Sequence, residues 1–349
     1  MSRTVKDFDL PCGILPQGTG NAITDVPGVR VGHCTLRDGD INTGVTAILP
    51  HSGNLFRRKV VAATHVINGF GKSTGLVQID ELGTIETPIL LTNTLSVGTC
   101  ATALIREAIS QNPDIGRTTS TVNPVVGECN DGPLNDIQAL AVTEEHARAA
   151  LKTARDGPVE QGSVGAGTGM TCFGFKGGIG SSSRRIELDG TDHHLGVLVL
   201  TNFGNAGDLV LPDGRRPSPT KVEPAMNAQE KGSIIIVVAT DVPLEHRQLN
   251  RVAKRAGAGL ARLGSFWGHG SGDIAIAFTT ANTVDHDGKA DLLEMRVLNE
   301  NRIDRLFRAA AEATQEAVLN SMLAADHFVG RGGKARVSLA DVLRSARTI

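Results

Sequence analysis

The segment Gly268–Phe278, GHGSGDIAIAF, decides how the rest of the chain is read. Its second half, Ile274–Phe278, is a short, continuous, partly β-branched apolar run, which is the pattern of a buried strand. Ser271 follows Gly270 directly at the mouth of that strand. A glycine there lets the backbone take strained dihedrals that bring the Ser271 hydroxyl against the Gly270 carbonyl carbon, the geometry self-cleavage needs. A cut would leave Ser271 with a free α-amine of pKa about 8 beside its own hydroxyl, so that one residue supplies nucleophile and base. The competing reading of the pair is a plain glycine-rich turn entering a strand.

Outward from this segment, the pattern alternates strands and helices in runs. Asp241 can cap a helix whose apolar positions Leu249, Val252, Ala253, Ala256, Leu260 and Leu263 form one stripe, and this helix delivers the chain to Ser271. Before it, Leu195–Thr201 and Ser233–Thr240 (SIIIVVAT) read as the strongest buried strands, with the polar, proline-containing stretch Leu211–Lys231 as an exposed loop between them. Further back, Thr43–Pro50, Val60–Ile67 and the start of Pro88–Gly98 read as strands, and Ala101–Ser110 as a helix. Pro124–Asp136, PVVGECNDGPLND, packs acids and asparagines around a Gly-Pro break and reads as a functional loop. Thr143 offers an N-cap to a helix over Glu144–Arg155. After the Ser271 strand come a polar turn at Asp285–Lys289, an apolar alternation at Leu293–Leu298 and a long alanine-rich helix over Asp304–Ala325. There is no internal repeat and no dividing linker, so residues 1–349 read as a single domain. Strands and helices in runs predict a layered α+β fold instead of a doubly wound sheet.

The bulk numbers exclude several classes. A chain of 349 residues, 40% hydrophobic and 21% charged, is long enough for a substantial core. A net charge of −2, without a long lysine–arginine cluster, gives no footprint for nucleic acid, and 3% aromatics with no tyrosine leave no stacking platform. No apolar run reaches the ~18 residues of a membrane span, and the amino terminus MSRTVKDFDLPCG lacks a secretory core. Five scattered cysteines without C-x-x-C spacing fit reduced thiols and a cytoplasmic protein.

Three familiar chemistries fail on their context. The eight glycines of residues 162–180 include GAGTGM, but a strand pattern at Thr171–Phe175 follows where a dinucleotide fingerprint must open a helix. The ten histidines include no H-x-x-x-H or H-E-x-x-H spacing, so no metal and no cofactor is expected; His269 can still line the site. The glycines at 268, 270 and 272 do not make a G-x-S-x-G elbow, because strand and not helix follows Ser271.

GSGDIAIAFTTAN, SIIIVVATDVPL, GAGTGMTCFGFKGG, ILLTNTLSVG, NAITDVPGVRVGH and TGVTAILP together resemble the DmpA family of self-processing aminopeptidases, over nearly the whole chain. The resemblance implies a four-layer αββα sandwich similar to that of ornithine acetyltransferases. It also implies self-cleavage between Gly270 and Ser271 into chains 1–270 and 271–349, and an amino-terminal Ser271 that attacks peptides, amides or esters beside a free amino group. By the same resemblance Glu128 holds the substrate ammonium. Asn130 stands where the family commonly has an oxyanion-assisting tyrosine, and an amide there still donates but reaches less far. The family's second oxyanion donor, an asparagine after the strong strand, falls near Thr240–Asp241, where the helix cap is the competing role. Thr314 and Glu316 match the pair that supports the nucleophile from the last long helix, although i and i+2 point some 200° apart on a regular helix, which makes Glu312 the alternative partner. Related enzymes assemble as oligomers of processed pairs. Two rival functions remain: an acyltransferase of the ornithine-acetyltransferase type, against which a serine instead of a threonine at 271 argues, and an uncut ligand-binding homologue.

Overall fold

The computed structural model describes residues 2–219 and 230–347. The middle of the expected exposed loop, residues 220–229, lies outside the described residues. Two sheets form the centre. One has the order β1-β2-β5-β6, built from β1 (Arg30–Asp38), β2 (Ile41–Leu49), β5 (Ile89–Asn93) and β6 (Val125–Cys129). The other has the order β4-β3-β12-β11-β10-β9, from β3 (Arg58–Gly69), β4 (Thr84–Ile85), β9 (Gly178–Leu188), β10 (Thr191–Asn202), β11 (Lys231–Thr240) and β12 (Gly270–Asp285). Side-chain alternation along these strands gives each sheet two apolar faces. Ile274, Ile276 and Phe278 of β12 meet Ile89, Leu91 and Val125 between the sheets.

The outer faces are covered by helices. Cys100, Ala103 and Leu104 of α2 (Val97–Gln111) and Ala147 and Ala150 of α3 (Glu144–Lys152) pack on Val45, Leu90 and Val126. On the opposite side α4 (His246–Ala261) and α5 (Asp304–Ala324) lay Leu249, Val252, Ala256, Ala310, Ala313 and Ala317 over Val199, Ile236, Ala275 and Ala277. The molecule is thus an αββα sandwich, the layered α+β fold that the residue pattern predicts in the form that the resemblance implies. Alanine lets α5 approach closely: a Cβ added to Gly180 of β9 would lie 1.9 Å from the Ala317 carbonyl oxygen. The short helix α1 (Leu76–Leu82), the two-residue strands β7 (Thr171–Cys172) and β8 (Phe175–Lys176), the pair β13 (Phe328–Val329) and β14 (Ala335–Arg336), and α6 (Leu339–Arg347) complete the fold.

Four expectations are corrected. Val125–Cys129 is a fully buried strand, so the segment read as a loop from Pro124 becomes one only after Cys129. Leu293–Leu298 forms no strand, and Leu293, Met295 and Val297 stand exposed. Asp241 does not cap α4: its carboxylate accepts the His194 N–H at 2.7 Å, and Glu245 is the N-cap. Glu230, in the stretch read as exposed, is buried. The residue pattern also concealed β1, α1 and β9, whose polar or glycine-rich stretches carry weak periodicity.

One buried ionic cluster ties α5 to β9. Arg184 faces Glu316 at 2.8 Å and Glu312 at 3.4 Å, and all three side chains are at most 2% exposed. Gln17 and Asn21 donate to the second Glu316 oxygen at 2.7 and 2.6 Å, and the Leu15 N–H donates to Glu312 at 3.0 Å. Removing the buried cation of this set leaves Glu316 without an ion-pair partner among the described residues and Glu312 with only the half-exposed Arg308 at 3.9 Å. Arg184→Ala is therefore expected to lower stability by about 3–5 kcal/mol, read as a fall in the denaturation midpoint. An unchanged midpoint would show the cluster to be energetically idle.

Candidate active site

β12 is a central strand, parallel to β11 on one side and antiparallel to β3 on the other, and Gly270 and Ser271 begin it opposite Lys231 and Gly232. The chain enters through a turn in which the Ser271 N–H donates to the Gly268 carbonyl at 2.9 Å. The Asn68 side-chain amide donates to the same carbonyl at 3.0 Å and also to the Ser271 carbonyl. Glu230 accepts the Gly268 N–H at 2.7 Å and the Gly204 N–H at 3.1 Å, and its burial raises its pKa. Backbone strain falls just upstream of the expected place: Trp267, a bulky residue, has φ 55°, whereas Gly270 is not left-handed.

Ser271 is fully buried, and its hydroxyl donates to Asp273 Oδ1 at 2.7 Å. Strand alternation puts Ser271, Asp273, Ala275 and Ala277 on one face, towards α4 and α5. Gly270 belongs instead to the wall of a cleft of about 380 Å³ that also holds Glu128, Asn130, Asn202, Thr94, Phe70 and His269. Glu128 comes from the end of β6, where it is buried and fixed from two sides. The Lys72 N–H donates to Oε1 at 2.7 Å and the Thr94 hydroxyl to Oε2. Asn130 is exposed; its Oδ1 accepts the Gly132 N–H at 2.9 Å, while its amide N–H groups donate to nothing among the described residues.

The fold therefore brings Gly270, Glu128 and Asn130 to one cleft, although some 140 residues of chain separate the strand head from the β6 end. Thr314 and Glu316 stand elsewhere. Helix α5 runs unbroken through them, Glu316 faces Arg184, and Thr314 packs against Gly259 of α4 with no hydrogen-bond partner for its hydroxyl among the described residues. Glu312 shares the Arg184 cluster with Glu316. No hydrogen bond or ion pair among the described residues joins any of the three to Ser271. Thr240 pairs with Thr279, about 26 Å along β12 from Ser271 at ~3.3 Å per residue, so the Thr240–Asp241 end of β11 is remote from the cleft.

Sequence reasoning missed Asp273, Asn68, Glu230 and Asn202. The last ends β10, the other strong strand, and its side chain donates to the Asn130 carbonyl at 2.9 Å. Asp273 had a readable signal: an acid two residues after Ser271, in phase with the buried face of its own strand.

A serine heading a central strand of an αββα sandwich, beside a cleft with a buried carboxylate, has the architecture of an amino-terminal-nucleophile hydrolase. The model of peptidase family S58 matches residues 21–336, and the chain belongs to that family. It is a peptide-bond hydrolase, an aminopeptidase. It is 40% identical to the β-peptidyl aminopeptidase BapA of Sphingosinicella microcystinivorans, over 94% of this chain and 87% of that protein. Two solved structures superpose on 99% of its length. The PH0078 protein from Pyrococcus horikoshii OT3 matches with TM-score 0.91 and 46% identity, covering 99% of both chains. The L-aminopeptidase D-Ala-esterase/amidase of Ochrobactrum anthropi, described as a variant of the Ntn-hydrolase fold, matches with TM-score 0.87 and 36% identity, again covering 99% of both. Among the described residues, no helix is long and apolar enough to cross a membrane.

Proposed function

We propose that this aminopeptidase matures by cutting itself between Gly270 and Ser271, and that the new amino-terminal serine removes amino-terminal residues from small peptides, amides or esters. One observation carries the reading: Gly270, at the head of the central strand β12 and directly before Ser271, lines the cleft that holds the buried Glu128 carboxylate. Once cut free of Gly270, Ser271 heads β12 beside this cleft, where Glu128 supplies a carboxylate able to hold a substrate ammonium and so sets cleavage one residue from the end. Ser271 Oγ attacks the carbonyl next to that ammonium, and its proton passes to the Ser271 α-amine. Asn130 and Asn202 donate to the oxyanion; Asn202 suits the family's asparagine after the strong strand better than Thr240–Asp241 does, because it lies on the cleft wall. The leaving amine takes the proton, and water then releases the acyl group. Thr314 and Glu316 support the nucleophile in this reading from the helix layer, without touching it. The β-peptide and D-Ala-ester activities in the names of its relatives suggest a pocket tolerant of backbone type. Five free cysteines suit a reducing compartment such as the cytoplasm.

The mature enzyme's pH profile tests the base. A protonated α-amine cannot accept the hydroxyl proton, so kcat should fall as pH drops below about 8. A kcat flat from pH 5 to 9 would exclude the amine as base.

A further inference from the structure

The α-amine that serves the mature enzyme does not exist before the cut, because in the uncut chain that nitrogen is a peptide N–H donating to Gly268. The first reaction of the chain therefore needs a different proton acceptor. We propose that Asp273 is the general base of self-cleavage, taking the Ser271 hydroxyl proton as Oγ attacks the Gly270 carbonyl. This rests on Ser271 as the cleaving residue.

Three features of the site converge on Asp273. It is the only acceptor of the Ser271 hydroxyl among the described residues, at 2.7 Å, and the two sit at i and i+2 on the same strand face. It is fully buried, and its Oδ2 has no hydrogen-bond partner among the described residues. An ionised carboxylate left half-satisfied in such a place binds a proton readily. Burial above all, against the Ser271 hydrogen bond that lowers it and with the negative charge of Glu230 adding to it, raises its pKa to about 7. No other titratable group among the described residues accepts the Ser271 hydroxyl, and the Glu230 carboxylate is held by the Gly268 and Gly204 N–H groups. The strand neighbours of Asp273 are Asn68 on β3 and Ile234 on β11, neither of them titratable, and the Cys129 thiol is held neutral by burial.

The proton balance closes. The Oγ–H bond breaks towards Asp273 as Oγ–C forms in a five-membered ring with the Gly270 carbonyl carbon. The C–N bond then breaks, and the nitrogen takes the proton from Asp273 to become the Ser271 amine. Water attacks the resulting ester, releasing the Gly270 carboxylate and restoring the hydroxyl. In the uncut chain the Asn68 amide donates to the Gly268 carbonyl upstream of the scissile peptide and to the Ser271 carbonyl downstream of it.

The experiment is refolding of denatured precursor at pH 5 to 9, with cleavage followed by denaturing mass spectrometry, for wild type, Asp273→Asn and Ser271→Ala. Asparagine keeps the hydrogen bond to the hydroxyl but cannot take its proton. Wild-type cleavage should accelerate about tenfold per pH unit up to about 7 and then level, since the base works only when ionised. Asp273→Asn should cleave at least about 100-fold more slowly while matching Ser271→Ala in circular dichroism and unfolding midpoint. Wild-type-rate cleavage of a folded Asp273→Asn chain overturns the proposal, as does a wild-type rate flat across this range even if Asp273→Asn fails to fold. Wild type that never cuts at Gly270–Ser271 overturns the Ser271 assignment itself.

Discussion

Ser271→Ala is expected to give one folded chain of 36.6 kDa that hydrolyses nothing, with kcat/KM at least about 10⁴-fold below the processed enzyme. The size of the loss follows from the double duty of the residue: alanine removes the attacking oxygen of both the cut and the peptidase reaction, and no cut means no α-amine base. The fold should survive, because Ser271 contributes one side-chain hydrogen bond at a position where the β12 ladder to β11 and β3 continues unchanged. Ser271→Cys keeps a nucleophile and should still cut. Circular dichroism, a denaturing gel and an assay on an amino-terminal amide read all three properties at once. Activity in the alanine protein would remove Ser271 from the mechanism.

Glu128→Ala is expected to lower kcat/KM on substrates with a free amino group by about 10²- to 10³-fold, the cost of truncating one partner of a buried charge pair, while the cut at Gly270 proceeds. The two effects separate because Glu128 is hydrogen-bonded to Lys72 and Thr94, and no hydrogen bond among the described residues joins it to the Gly268–Ser271 turn. Glu128→Gln controls for structure: it retains an oxygen for the Lys72 N–H but loses the charge, so it should bind the ammonium nearly as poorly as alanine does. An unchanged kcat/KM in either variant, with substrates bearing a free amine, would take Glu128 out of the site.

The parts of the fold that the sequence made legible are those where burial leaves a period. SIIIVVAT and IAIAF can only be strands buried on both faces, and the alanine stripe of the last helix matches α5 to within one residue of its end. Glu128 was legible as a residue and not as a place. VVGEC looks like a loop because glycine and glutamate interrupt it, yet a Cβ at Gly127 would lie 2.9 Å from Ile235 Cγ2, so the glycine is where the two sheets touch. Leu293–Leu298 shows the opposite error. Its alternation is sound, but neither sheet pairs with it, and alternation without a partner edge is only an exposed chain. The signal at Asp273, its phase with Ser271, becomes readable only once the strand is taken to begin at Gly270, since an acid after Ser-Gly otherwise reads as turn chemistry. Thr314 and Glu316 were legible as positions on a helix that was placed correctly, while their packing partners, Gly259 and Arg184, depend on tertiary structure that no local pattern encodes.

β12 and α5 both lie on the carboxyl-terminal side of the proposed cut, paired and packed with strands from the other side. Each fully buried Leu, Val or Phe side chain contributes about 1.5–3 kcal/mol, so the two pieces should remain together until denatured. A denaturing mass spectrum of the purified wild-type protein, with sequencing of the smaller species, tests self-cleavage most directly. Cleavage at Gly270–Ser271 predicts chains of about 28 and about 8 kDa, the smaller beginning Ser271-Gly272-Asp273. A fully active protein that shows only the intact 36.6 kDa chain, or a small fragment with any other first residue, would contradict it.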